Sequence, residues 1–185
     1  TPVNVRYLTG FTGTNGWLLM TAEQAFFFTD PRYQQQALAQ VGELSIVIAP
    51  RGLLKTLAEA VVPSGIQRVA FEPHYVTVIL REQLEAVAEV EWVPFPMLVE
   101  TQRCCKDAEE IEAIRAALLV SEAAFQEVAN RLVPGQTEIE IASDLELYCR
   151  RHGAESMAFE TIVASGSRSA LPHGVASTRC IEEGG

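Results

Sequence analysis

The chain has 185 residues, of which 48% are hydrophobic and 21% charged, a composition typical of globular proteins that excludes a disordered or low-complexity segment. Its 14 Lys and Arg against 24 Asp and Glu give a formal net charge of −10, the wrong sign for a surface that follows phosphates, so we expect no nucleic-acid partner. No apolar run approaches the roughly 20 residues that span a bilayer, so we expect no membrane partner. The N-terminus lacks a basic start followed by an apolar core, and the four cysteines form no C-x-x-C pair. We therefore expect a cytoplasmic protein with reduced thiols.

Short apolar strands alternate with helical stretches over the first half of the chain. Pro31 and Gly42 mark the start and end of one of these helices. The predicted elements in chain order are a strand at 3–8, a hairpin of 17–20 and 25–30, a helix at 32–40, a strand at 44–49, a helix at 53–62, a strand at 68–72, a helix at 77–90 and a strand at 91–96. This alternation favours an α/β layer structure with a mixed sheet.

The pattern changes after residue 96 to two long helices. Residues 100–106 are predicted to cross between the two parts, and Asp107 with Glu110 forms a capping box that begins the first helix. Its predicted apolar face consists of Ile111, Ile114, Leu118, Phe125, Val128 and Leu132. Thr137 and Glu140 form a second capping box. The buried stripe predicted for the helix that follows consists of Ile141, Leu145 and Tyr148.

The C-terminal part carries the candidate chemistry, in a strand-and-loop pattern. A serine nucleophile there would need the G-x-S-x-G elbow, which is not present around Ser165, Ser167 or Ser169, so we reject it. No H-E-x-x-H or D-x-D-x-D-G motif indicates a local zinc or calcium site. Of the three histidines, His152 at a helix end is expected to be a cap, and His74 a structural loop residue.

His173 is the histidine best placed for a function. It lies between Pro172, which restricts the backbone, and Gly174, which frees it, at the end of a polar loop. Two interpretations stay open from the residues alone. Either the ring is presented into a cleft, or His173 is a turn residue with a satisfied hydrogen bond.

Several blocks of the sequence, taken in order, resemble one family. Residues 159–166 (FETIVASG) and 169–174 (SALPHG) resemble the first catalytic-domain block of Xaa-Pro peptidases, the aminopeptidase P and prolidase group of the pita-bread metallopeptidases of family M24. Three further stretches of the second half agree, and two in the first half resemble the creatinase-like N-terminal domain of the same family. These five stretches are 103–111, 134–138, 151–155, 5–13 and 28–33.

The resemblance implies two domains. Residues 1–100 would be an α/β creatinase-like N-terminal domain with a mixed sheet, without its first helix and strand, and residues 101–185 the first part of an α+β pita-bread catalytic domain. The implied reaction is hydrolysis of the bond between an N-terminal residue and proline in a peptide, by a hydroxide that bridges two metals. His173 matches a family histidine beside the metals, which implies a catalytic role, and the implied substrate-binding residues are Phe159 and His173.

The same resemblance implies two divalent metal ions (Mn, Co or Zn) in the complete enzyme. The family ligands are two aspartates, a histidine and two glutamates, and all follow the block at which this sequence stops. We therefore expect this chain to bind no metal and to be inactive alone. Two alternatives stay open: a metal-free creatinase-like hydrolase, and a non-catalytic pita-bread module that binds peptides.

A homodimer is also implied, because the family is usually dimeric. The loop at 7–16 and the turn at 30–33 are candidate parts of the interface by the same resemblance. The alternative is that they are a tight loop and a helix start held by a side-chain hydrogen bond.

Overall fold

The computed structural model describes residues 1–62 and 65–184 and divides the chain into two compact units, Thr1–Cys105 and Lys106–Gly185. The first unit contains α1 (Pro2–Thr9), β1 (Gly16–Met20), β2 (Ala25–Thr29), α2 (Gln34–Gln40), β3 (Ser45–Ile48), α3 (Leu53–Val61), β4 (Arg68–Phe71), α4 (Val78–Val87), β5 (Glu91–Pro94) and α5 (Leu98–Cys104). The second contains α6 (Ala108–Ala129) and α7 (Glu138–Arg151). A short 3-10 helix lies at Pro31–Tyr33 in the first unit and at Gly166–Ala170 in the second.

A mixed three-stranded sheet forms in the first unit, as the sequence predicts. β1 and β2 pair antiparallel in a register that joins Gly16 to Thr29 and Met20 to Ala25, which confirms the predicted hairpin. β3 pairs parallel to β2, so the strand order is β1-β2-β3. β4 and β5 form a separate two-stranded parallel sheet. The sequence pattern predicts both strands, but it does not predict that they form a sheet separate from β1-β2-β3.

Alternating side chains of β2 build two cores on opposite faces of the sheet. Phe27 is fully buried in a cluster with Phe11, Ala37 and Val41. Phe28 is fully buried on the other face. Its cluster consists of Leu19, Ala49, Leu53, Leu57, Val61, Leu84, Ala88 and Trp92. The central strand is therefore covered on both sides, which explains its run of aromatic residues without polar alternation.

The predicted strand at 3–8 is wrong, because these residues form α1. Thr1 caps the helix by accepting a hydrogen bond from the backbone N–H of Asn4 (3.2 Å), and Pro2 lies in its first turn. Gly10 ends it in the left-handed conformation, with φ 74°. The β-branched and aromatic residues favour a strand, but the signals at the two ends outweigh that preference.

A buried polar cluster joins α1 to α5. Asn4 is 2% exposed; its amide nitrogen donates to Glu72 and to Glu100 (2.7 Å), and its carbonyl oxygen accepts from Arg103 (2.9 Å). The hydrogen bond from Asn4 is the main cause that lowers the pKa of Glu100. Glu100 and Arg103 both belong to α5, where the sequence predicts only a crossing segment. The polar side chains of this helix complete the cluster.

Both helices of the second unit begin at the predicted capping boxes. Asp107 and Glu110 each accept a hydrogen bond from the backbone N–H of the other, both at 2.9 Å. Thr137 and Glu140 make the same reciprocal pair at the start of α7, at 3.2 and 2.7 Å. In the predicted stripe of α7, Ile141 is buried, whereas two other members are half-buried, Leu145 and Tyr148.

The apolar face predicted for α6 is largely exposed. Val128 is buried, as is Ala124, but Ile114, Leu118 and Phe125 are 55%, 56% and 68% exposed. In the described part of the chain, α6 therefore exposes an apolar surface, and such surfaces normally contact another part of a protein. In residues 1–62 and 65–184, no helix is both long enough and apolar enough to cross a membrane.

Candidate active site

The segment after α7 folds back against the first turn of that helix. The backbone N–H groups of Glu138 and Ile139 donate to the carbonyl oxygens of Arg179 (3.0 Å) and Ser177 (3.1 Å). The first N–H groups of a helix have no acceptor within the helix. These two hydrogen bonds therefore satisfy α7 and fix the returning segment to it.

Glu138 is fully buried at the centre of this arrangement. Its Oε1 accepts hydrogen bonds from the backbone N–H (2.8 Å) and the hydroxyl (3.0 Å) of Ser165. Its Oε2 accepts from the backbone N–H (3.1 Å) and the hydroxyl (2.6 Å) of Ser177 and from Nε of Arg168 (3.2 Å). The carboxylate thus receives five hydrogen bonds, which compensate for the cost of burying a charge.

The same hydrogen bonds keep the Glu138 carboxylate ionised. The Ser177 hydroxyl has the largest effect, and the N–H and hydroxyl of Ser165 add to it. Burial acts in the opposite direction, but the hydrogen bonds prevail and lower the pKa of Glu138 from 4.5 to about 2. The carboxylate lies in the first turn of α7, where the helix dipole also favours negative charge.

Acid should therefore weaken the second unit through Glu138. Because the pKa is lower in the folded than in the unfolded chain, the carboxylate stabilises the fold above about pH 4.5, and this stabilisation is lost as the pH falls towards about 2. Glutamine resembles the protonated carboxyl, so Glu138→Gln should melt below the wild type at pH 7 and converge with it near pH 2. Thermal unfolding followed by circular dichroism measures the difference. A difference that stays constant over this range would contradict the assignment.

His173 lies within the segment that Glu138 holds. Its carbonyl oxygen accepts from the N–H of Val175 (2.9 Å), and the carbonyl oxygen of Val175 accepts from the guanidinium of Arg168 (2.7 Å), which also contacts Glu138. The imidazole is exposed and has no hydrogen-bond partner within residues 1–62 and 65–184. A chain of two hydrogen-bonded residues thus connects the buried carboxylate to the peptide that carries the ring.

Close packing limits the backbone that follows His173. Gly174 is buried, and a Cβ added there would lie 2.9 Å from Cβ of Ala164. An isolated antiparallel bridge joins Ile162 to Val175, where the sequence predicts a strand. The backbone next to the imidazole is therefore fixed by a contact that only glycine permits without a shift.

Phe159, the other predicted substrate-binding residue, lies outside this hydrogen-bonded cluster. Its side chain is 73% exposed. The structure therefore joins His173 to Glu138 by hydrogen bonds and leaves Phe159 as a separate exposed apolar residue. Its role in substrate binding stays a prediction.

Other candidates from the loop and the histidines have structural partners. The hydroxyl of Ser165 donates to Glu138, and that of Ser169 donates to a backbone carbonyl of the same loop at 2.7 Å. His152 caps α7: its Nδ1 lies 2.8 Å from the carbonyl oxygen of Tyr148, and the two rings stack at 3.9 Å. These contacts agree with the rejection of a serine nucleophile and with the capping role predicted for His152.

The predicted loop at 7–16 is shorter in the structure, because its first three residues belong to α1 and its last to β1; the loop between them contacts the turn at 30–33 in the first unit. The amide of Asn15 donates to the Asp30 carboxylate at 2.6 Å, and Nε and an NH2 group of Arg32 donate to it at 2.9 Å each. These hydrogen bonds, the one from Arg32 first, hold the pKa of Asp30 well below its usual range. The arrangement matches the interpretation of a tight loop and a helix start held by side-chain hydrogen bonds.

Among the residues that the structure describes, no side chains are arranged as the ligands of a metal centre. In the described ranges, no group of three or more His, Cys, Asp and Glu side chains could hold a metal ion. The described residues therefore do not by themselves form the two-metal site that the resemblance implies for the complete enzyme.

Family descriptions match both parts of the chain. Residues 1–105 match the Creatinase/Prolidase N-terminal domain, and residues 112–185 match Metallopeptidase family M24. The fold is therefore that of a creatinase-like α/β domain followed by the start of a pita-bread catalytic domain.

Similar proteins are peptidases about twice as long. The uncharacterized peptidase YqhT of Bacillus subtilis is 42% identical over 98% of this chain and 52% of its own length. Xaa-Pro dipeptidase from Bacillus anthracis is 38% identical with a TM-score of 0.92, and the match covers 100% of this chain and 52% of that structure. X-Pro aminopeptidase from Thermotoga maritima is 35% identical with a TM-score of 0.92, and the match covers 100% of this chain and 53% of that structure. The chain thus spans about half the length of the relatives that it matches. It belongs to the creatinase/prolidase family, and its second part to Metallopeptidase family M24.

Glu138 is the residue of this site that sequence reasoning does not find. The neighbouring capping box of Thr137 and Glu140 already explains an acidic residue at the start of α7, so a second one carries no separate signal. Its hydrogen-bond partners lie 27 to 39 positions further along the chain. Only tertiary structure reveals that this carboxylate is buried and that the serines of the loop point to it.

Proposed function

We propose that this chain supplies the N-terminal domain and the first part of the catalytic domain of a metal-dependent Xaa-Pro peptidase. The whole protein hydrolyses the bond between an N-terminal residue and a following proline. Family membership supports this proposal, as do two solved relatives, an Xaa-Pro dipeptidase and an X-Pro aminopeptidase.

The position of His173 is the observation that carries the proposal. Its imidazole is exposed, without a hydrogen-bond partner among residues 1–62 and 65–184, on a backbone segment fixed by Arg168 and Glu138. A ring held in this way can donate a hydrogen bond to a substrate oxygen on which negative charge develops. Phe159 offers an exposed apolar surface in the same unit.

The substrate gives a physical reason for such a donor. The peptide bond before proline has no N–H, so an enzyme cannot bind this substrate through that group. Polarisation of the scissile bond can act through its carbonyl oxygen instead. His173 is the side chain of this chain that we assign to that task.

The metal ions belong to the whole protein in this proposal. The chain spans about half the length of its relatives, and the described residues contain no metal-binding group. The exposed apolar face of α6 supports a further part of the catalytic domain that packs there. The ions (Mn, Co or Zn) would supply Lewis-acid chemistry to the reaction.

Removal of divalent metal should abolish the activity. The whole protein, dialysed against a chelator, should no longer release proline from Ala-Pro, and adding back Mn²⁺, Co²⁺ or Zn²⁺ should restore release. The same protein dialysed without chelator is the control. Full hydrolysis after chelation would contradict metal dependence and favour a metal-free creatinase-like hydrolase. No hydrolysis under any condition would favour a peptide-binding module.

The proposal includes a cytoplasmic homodimer. The side chain of Arg32 is 76% exposed while Asp30 orients it, so this ordered cation is available to a second copy of the chain. A relative from Mycobacterium tuberculosis, 35% identical over 55% of this chain with a TM-score of 0.51, is described as the N-terminal domain of the cytoplasmic peptidase PepQ. Analytical ultracentrifugation of the whole protein tests the dimer.

A further inference from the structure

Glu138 is a buried ionised group to which the proposed reaction assigns no task. It is fully buried, so it cannot contact a substrate directly, yet it accepts hydrogen bonds from five donors. Burying a carboxylate is costly unless such donors surround it. The buried charge of Glu138 is therefore stable only while its hydrogen-bond donors stay in place. All of these donors belong to one segment of the chain.

The donors to Glu138 lie on both sides of His173. Ser165 and Arg168 precede the histidine and Ser177 follows it, so one carboxylate fixes both ends of a stretch of 13 residues, 165–177. The guanidinium of Arg168 also donates a hydrogen bond to the carbonyl oxygen of Val175, at 2.7 Å. The N–H of Val175 in turn donates to the carbonyl oxygen of His173, at 2.9 Å.

Ionisation matters for this role. A carboxylate is an acceptor only, so each oxygen can receive two or more donors without conflict. A neutral amide or carboxyl group would present N–H or O–H to at least one of these donors and leave it without a partner. The segment is thus held in one conformation only while Glu138 is charged.

We propose that Glu138 is a positioning residue, which fixes the segment at 165–177 so that the imidazole of His173 meets the substrate. This inference rests on the proposed function, because it assigns His173 to the reaction. Glu138 acts on turnover only through His173. A displacement of about 1 Å at a reacting group costs about 10²-fold in rate. Loss of the Glu138 carboxylate should therefore lower kcat about as much as loss of the His173 ring.

A double-mutant cycle tests this inference on the whole, metal-loaded protein. The variants are Glu138→Gln, His173→Ala and the combination, with hydrolysis of Ala-Pro as the readout. We expect Glu138→Gln to lower kcat by about 10²-fold. In the His173→Ala background, the same substitution should change kcat less than about 3-fold, because residues that act through one another are not additive. Losses that multiply would overturn the positioning role.

Glu140→Gln is the matched control. Glu140 lies in the same first turn of α7 and accepts two hydrogen bonds, both from Thr137. We expect this variant to keep kcat within about 2-fold. Hydrogen exchange followed by mass spectrometry should show faster exchange in the segment at 165–177 for Glu138→Gln and no change for Glu140→Gln. Unchanged exchange in Glu138→Gln would overturn the inference.

Ser177→Ala is the replacement variant for this test. If Glu138→Gln does not fold, Ser177→Ala, which removes one donor, takes its place in the cycle and should show a smaller, equally non-additive loss. A wild-type protein that cleaves no proline peptide would reject the proposed function itself. Multiplicative losses in an active protein would reject only the role of Glu138.

Discussion

His173→Ala is expected to lower the turnover of Ala-Pro by the whole, metal-loaded protein by about 10²-fold or more, the usual loss when one donor to a developing oxyanion is removed. The imidazole is exposed and has no other hydrogen-bond partner in the described ranges, so its removal should leave the fold intact. Because the donor acts most strongly in the transition state, kcat should fall more than KM rises.

The control for this prediction is another histidine of the same unit. His152→Ala removes a ring that stacks on Tyr148 at the end of α7 and should leave turnover within about 2-fold of the wild type. Initial rates of proline release over a range of Ala-Pro concentrations give both constants. A near-normal kcat for His173→Ala would remove this residue from the active site.

Phe28→Ala is expected to destabilise the first unit by about 3–5 kcal/mol, the range for removing a buried aromatic ring. Phe28 is 0% exposed and lies in one buried cluster with Leu19, Leu57 and Trp92, among others. Removing the ring leaves a cavity between the sheet and the helices that cover it. Rigid neighbours cannot fill that cavity completely, so most of the lost contact is not recovered.

Tryptophan fluorescence during urea unfolding measures this loss in the first unit alone. The chain has two tryptophans, Trp17 and Trp92, and both pack in or against the core of Phe28. Met20→Ala is the control, since Met20 is 58% exposed at the end of β1 and should change the free energy of unfolding by about 0.5 kcal/mol or less. An equal shift of the midpoint in both variants would contradict the assigned core.

Local signals in the sequence predict much of the fold. The hairpin, the parallel strand that follows it and the two capping boxes depend on residues a few positions apart, and the structure confirms them. At residues 3–8 two local signals compete, since β-branched residues favour a strand while the cap at Thr1 and the stop at Gly10 favour a helix. The helix prevails, and Asn4 on it is buried by polar partners that are far away in sequence.

The remainder depends on contacts that no local pattern contains. Periodicity predicts the apolar face of α6, but not that Leu118 and Phe125 stay exposed in the described part of the chain. Motif resemblance identifies His173, but the role of Glu138 needs three partners at separations of 27, 30 and 39 residues. Hydrogen bonds over such separations arise from the tertiary fold, which a single sequence does not specify by spacing.

The most direct test of the central claim is a competition between two dipeptides for the whole, metal-loaded protein. Ala-Pro and Ala-Ala at equal concentration are incubated together, and the free proline and alanine are quantified by chromatography. The account predicts that Ala-Pro disappears while Ala-Ala stays intact, because the site acts on a bond whose nitrogen carries no hydrogen. Equal consumption of the two peptides, or cleavage of Ala-Ala alone, would contradict it.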